Sequence, residues 1–135
     1  GYISKPLNSR KLISTLDTLV RQKEYFDISR VRRQYMGSED EFKRLLFISS
    51  QDLPKRLDDF IQARKDANAK KALLALETMV GILSPIGAIR AQQLIKRFRK
   101  AVQDKDDHLA DNTAEELVYE LNGIKRQVKH SLGEL

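Results

Sequence analysis

Apolar residues recur at spacings of three and four along almost the whole chain, and this period constrains the fold more than any other feature. An α-helix turns once in about 3.6 residues, so such spacing lays the apolar side chains along one face. A half-buried strand needs strict alternation instead, and no stretch shows it. The three prolines and six glycines fall mostly between the periodic stretches, where they interrupt helices. The expected fold is all-α, an up-and-down four-helix bundle with additional N-terminal helices.

The stretches read in order as follows. Ser9 to Lys23 presents Leu12, Ile13, Leu16, Leu19 and Val20 on one side, with Asn8 or Ser9 as its cap. A short helix follows Asp27, with Ile28, Val31 and Tyr35 inward, and ends at Met36-Gly37. Ser38 and Glu41 have the spacing of a capping box, in which each side chain bonds a backbone N–H at the helix start. The helix they open carries Phe42, Leu45, Leu46, Leu53, Leu57, Phe60 and Ile61, and Pro54 within it predicts a kink. After a loop at Asp66 to Asn68, Ala69 to Leu83 forms the next helix, which Pro85 and Gly87 break. Ala88 to Gln103 buries Ala91, Leu94, Ile95, Phe98 and Val102, and points Lys96, Arg97, Arg99 and Lys100 outward. Asp104 to Asn112 reads as a polar loop. Thr113 and Glu116 form a second capping box for the last helix, which contains Leu117, Leu121, Ile124, Val128 and Leu132. Gly123 inside that helix costs up to ~1 kcal/mol relative to Ala, which points to a close helix crossing there.

A chain of 135 residues is long enough for one ordinary core. With no cysteine, it has no disulfide and no thiolate metal site. No apolar run approaches the ~18 residues of a membrane span, and Gly1-Tyr2-Ile3-Ser4-Lys5-Pro6 has no signal-peptide character. A cytoplasmic segment without membrane contact is expected, and the missing initiator Met points to a piece of a longer chain. The net charge of +6 permits acidic partners but selects none.

Catalytic and ligand motifs are missing. There is no nucleophile–base pairing, no Gly-rich phosphate loop and no His-Glu metal motif, so no cofactor or metal is expected. His108, within Asp106-Asp107-His108, lacks the three or four preset ligands of a metal site and reads as a surface residue. Lys96-Arg97-Phe98-Arg99-Lys100 is the best nucleic-acid candidate, but it reads more simply as a solvated face with Phe98 turned to the core. The aromatics are scattered, with no paired platform for stacking bases.

Leu76-Glu77-Thr78-Met79-Val80-Gly81, followed by Gly87-Ala88, resembles the signature of histidine-containing phosphotransfer (HPt) domains, typically A-H-S-L-K-G, a bridge, then G-A. Gln51-Asp52-Leu53-Pro54-Lys55-Arg56-Leu57 is similar to that family's "edaPerL" segment, and Ala91 and Leu94 match its following helix. The resemblance covers roughly residues 26 to 132. It implies that Glu77 stands where the phosphoryl-accepting histidine belongs and Val80 where the neighbouring lysine belongs. A carboxylate cannot supply imidazole nitrogen and repels an incoming phosphoryl group, so no catalytic residue is expected. Gly1-Tyr2-Ile3-Ser4-Lys5-Pro6-Leu7, with Arg10-Lys11-Leu12, resembles the end of a response-regulator receiver domain. Lys5 matches that family's phosphoryl-contacting lysine, but the rest of the receiver is absent. The implied organisation is 1–24 as a receiver-like end plus linker helix and 25–135 as the bundle.

The resemblance also implies a partner. Receiver domains dock on HPt domains around the histidine, and here Leu74, Glu77, Thr78, Gly81 and Ser84 share one helix face by spacing. Gly81 would let a partner's loop come close. The expected function is a non-catalytic HPt-like domain that docks a receiver, within its own chain or on another, without phosphotransfer. The alternatives are a structural or dimerising helical linker, active phosphotransfer through a non-standard site such as His130, and a basic nucleic-acid-binding bundle.

Overall fold

Five helices follow one another over residues 24–134, the part of the chain described by this computed structural model. They are α1 (Ile28–Gln34), α2 (Glu39–Lys65), α3 (Ala69–Leu83), α4 (Ile89–Gln103) and α5 (Asp107–Gly133), with no strand among the described residues. The expected helix from Ser9 to Lys23 and the receiver-like segment lie outside them. α2 packs on α3, α3 on α4, α4 on α5, and α5 back on α2. Short joints oblige successive helices to run antiparallel, so the expected all-α, up-and-down bundle is what the chain forms.

The period-3.6 stripes meet in one core. Leu46, Leu53 and Phe60 of α2 are fully buried, as are Leu76, Met79 and Leu83 of α3, Leu94 and Phe98 of α4, and Leu117 and Leu121 of α5. Phe60 and Phe98 meet edge to face, centroids 5.4 Å apart, and join the diagonal pair α2 and α4. Pro54 lies inside α2, which continues through it as one helix.

Two joints share one plan. At 66–68 and 104–106 the chain leaves a helix, places one residue in the left-handed region (Ala67, φ 53°; Lys105, φ 56°), and caps the next helix. Asn68 accepts from Lys71 N and Asp106 from Leu109 N, both at 3.0 Å. The joint at 84–88 differs: Ile86 turns inward and is fully buried, and Gly87 supplies φ 68°, a conformation other residues adopt only with strain.

Four expectations are corrected. Ser38 is the N-cap of α2 but makes no capping hydrogen bond, so the capping box with Glu41 is not formed. Thr113 caps nothing; it is a buried interior residue of α5, which starts at Asp107 because Asp106 caps it first. The polar loop therefore shrinks to 104–106, and His108 sits in the first turn of α5. The apolar period of α5 continues upstream through small residues, Ala110 and Ala114, which contribute little hydrophobic signal. Finally, the close approach expected at Gly123 is made by the ring of Tyr25 rather than by another helix.

Candidate functional site

α3 has two unlike sides. Its inner side (Ala72, Leu76, Met79, Leu83) belongs to the core, as the three- and four-residue spacing dictates. Its outer side carries Leu74, Glu77, Thr78, Gly81 and Ser84, and all five are exposed. Leu74 is 63% exposed although it is a large apolar side chain. Among the described residues, none comes within 4 Å of where a Cβ on Gly81 would stand. The helix is therefore smooth at that point, and another chain's backbone can approach it. Thr78 Oγ1 donates to Leu74 O at 3.0 Å, so its hydroxyl is already engaged by its own helix. Val80 is half-buried against the core instead of standing beside Glu77 on the open face.

Charge frames this face from both neighbouring helices. On the α4 side, Arg99 Nη2 lies 3.8 Å from Glu77 Oε1, with the side chains 36% and 57% exposed. Arg99 Nε is buried and finds no hydrogen-bond partner among the described residues. On the α2 side a groove of about 430 Å³ runs past Leu74 and Thr78, lined also by Arg56, Asp59, Gln62 and Lys71. Arg56 Nη1 pairs with Asp59 Oδ2 at 3.3 Å. Ile48, itself exposed, stands on the same edge of α2, in a series with Asp52, Arg56 and Asp59 at helical spacing.

The arrangement is a shallow face with an apolar projection, a bare backbone stretch and an exposed carboxylate facing an arginine. It presents no imidazole. His108 Nε2 lies 3.2 Å from Asn112 Nδ2, and His130 Nε2 lies 3.6 Å from Glu134 Oε1. Both histidines are on α5, whose partners in the bundle are α2 and α4, so neither joins the α3 face. Among the described residues no group of three or more His, Asp or Glu is placed to hold a metal ion. No helix there is long and apolar enough to cross a membrane.

The basic cluster of α4 is mostly paired. Arg97 Nη1 lies 3.7 Å from Glu116 Oε2, Lys100 Nζ lies 3.4 Å from Asp104 Oδ2, and Arg99 faces Glu77. Phe98 is buried. What reads in sequence as a run of positive charge is, in space, divided among acids on three sides: Glu116 of α5, Glu77 of α3 and the local Asp104 at the end of α4.

Two residues of this site were not legible in sequence. Arg99 meets Glu77 across a helix pair, and no local pattern announces such a meeting. Ile48 reads as part of an apolar run, although α2 turns it to solvent; its angular offset from Phe42, Leu46 and Leu53 is the signal that finds it. No family model matches this chain, and neither does any curated protein or solved structure.

Proposed function

We propose that this bundle is a non-catalytic docking module of the HPt kind, which binds a response-regulator receiver domain on the outer face of α3 without exchanging phosphate. The observation that carries the reading is Gly81. Gly81 lies in the last turn of α3, where a glycine costs up to about 1 kcal/mol relative to alanine. No described residue fills the space around it, so none of them requires a glycine there. A partner chain lying against the backbone does. Leu74 beside it supplies apolar area, and the Glu77–Arg99 pair supplies polarity at the rim.

The chemistry of the face supports a reading without transfer. Glu77 offers no nitrogen nucleophile, and its charge is set against Arg99. Val80 is packed toward the core and brings no cation. Phosphoryl transfer depends on positioned nucleophile and charge together. The pairing of Arg97, Arg99 and Lys100 with acids weighs against the nucleic-acid reading, which needs unpaired cations to neutralise phosphates.

The test is a titration of the isotopically labelled chain with intact receiver domains from the source organism, phosphorylated and not, following amide shifts. Shifts are expected around Leu74, Glu77 and Gly81. Leu74→Asp and Gly81→Arg should each weaken binding at least about tenfold, or ~1.4 kcal/mol. Silence with every receiver at millimolar concentration overturns the proposal. Self-association untouched by both substitutions favours a dimerising linker.

A further inference from the structure

α2 meets α5 along the flank that α3 leaves free. On α2, Arg56 and Asp59 line the groove toward α3, while Lys43, Phe47, Ser50 and Pro54 share the other flank at spacings of four, three and four. On α5, Asp111 pairs with Arg64 of α2, and every seventh residue after it stays near that side: Val118, Lys125 and Leu132. The two helices run antiparallel, and the Arg64–Asp111 pair joins the end of α2 to the beginning of α5. The beginning of α2 therefore lies beside the end of α5, which sets Phe47 level with the turn from Lys125 to Lys129.

This end of the seam carries positive charge that the bundle leaves unmatched. Lys43, Arg44, Arg126 and Lys129 are exposed, and Lys125 is half-buried. None of the five makes an ion pair with a described residue, in contrast to Arg97, Arg99 and Lys100 of α4. The acids at the same end are engaged elsewhere. Glu39 pairs with Arg32, Glu134 faces His130, and Asp40 and Glu41 stand in the first turn of α2, where free N–H groups favour negative charge. The apolar part of the seam is recessed: Val118 and Leu132 are half-buried against the core, while Phe47 projects beside them, 56% exposed.

We propose that this basic end of the α2–α5 seam is a docking surface whose occupant is an acidic polypeptide segment with an apolar residue among its carboxylates. The carboxylates meet Lys43, Lys125 and Lys129, and the apolar residue lies against Phe47 and Leu132. Charge of one sign on the surface and the other on the segment steers their encounter. A nucleic-acid strand would use the same cations, but its bases need a stacking platform, and Phe47 is a single ring. A lipid surface needs apolar groups standing beyond the cations, and Val118 and Leu132 are set back. The seam lies on the flank of α2 away from α3, so this surface is separate from the face of Leu74 and Gly81 and does not rest on the receiver proposal.

The test titrates the isotopically labelled 135-residue chain with a synthetic peptide of glutamates and leucines in helical repeat, and with a twin in which glutamine replaces every glutamate. The acidic peptide should shift the amides of Phe47 and of Lys125 to Lys129, the twin should not, and added salt should weaken the binding. Lys125→Glu combined with Lys129→Glu should weaken it at least about tenfold and Phe47→Ala about threefold, while Leu74→Asp leaves it unchanged. Far-UV circular dichroism checks that each variant keeps its helices. Equal binding of the twin, shifts confined to other faces, or silence at millimolar peptide overturns the surface. So does tighter binding of an oligothymidylate or of phosphatidylserine vesicles than of the acidic peptide, which would assign the cations to nucleic acid or to lipid.

Discussion

Gly81, in the last turn of α3, and Gly123, in the interior of α5, are both helical glycines of the same bundle, yet they answer to different neighbours. Gly123 is covered: the ring of Tyr25 rests where its side chain would be, and Gln127 one turn on pins the backbone that carries that ring. Gly81 is bare of contact with any described residue, and Leu74 projects on the same helix face. A helical glycine is a cost in both places. At Gly123 the fold itself offsets that cost. At Gly81 nothing in the described residues does so, and the difference teaches where to look for an interaction that lies outside this chain's own fold.

The contrast between a committed and an uncommitted surface can be tested most strongly within α3 itself. Leu76 is fully buried and Leu74 stands outside, two residues away on the same helix. Leu76→Ala should cost about 2–5 kcal/mol, through lost burial and the cavity left behind. Leu74→Ala should stay within about 0.5 kcal/mol. Urea unfolding measures both; equal losses would mean that Leu74 is part of the core and would dissolve the idea of an open face.

The two glycines give the next largest effect, and it has opposite signs. Gly123→Ala forces the Tyr25 ring to move; overpacking of ~1–3 kcal/mol, partly offset by the better helix propensity of Ala, leaves a net loss of about 1 kcal/mol. Gly81→Ala meets no atom and should stabilise the chain by up to about 1 kcal/mol. Chemical denaturation of the two variants side by side decides the matter. A loss at Gly81 would show that the bundle needs it.

The smallest effect belongs to the Glu77–Arg99 pair. It is partly exposed, 3.8 Å long, and spans two helices. Glu77→Ala and Arg99→Ala should each change stability by no more than about 0.5 kcal/mol, and a double-mutant cycle should find little coupling. Coupling well above 1 kcal/mol would make the pair a structural tie between α3 and α4 and would move Glu77 from the candidate face to the framework.

Legibility in the sequence followed the strength of the local signal. α3 and α4 are dense in Leu, Ile, Met and Phe at helical spacing, and their limits, Ala69–Leu83 and Ile89–Gln103, agree with that spacing to within a residue. Leu74, Glu77, Thr78, Gly81 and Ser84 were readable as one face for the same reason. The local signal places the start of α5 at Thr113, six residues late, because its first turns bury Ala110, Thr113 and Ala114, residues whose side chains say little about burial. The two similar joints, Asp66-Ala67-Asn68 and Asp104-Lys105-Asp106, carry the correction in plain view: an Asx residue in third place caps the next helix in both.

The sequence by itself determined the helices, the four apolar stripes and the short joints, because period, caps and connection length act between residues close in the chain. That is enough to specify an antiparallel all-α bundle. The tertiary structure alone decided which charges meet and which glycine is covered. Glu77 finds Arg99, Arg97 finds Glu116, and Gln127 finds Tyr25 and Phe26 across separations that no local pattern encodes. Such meetings depend on the angle at which one helix rests on the next, and that angle is set by the packing of the whole core.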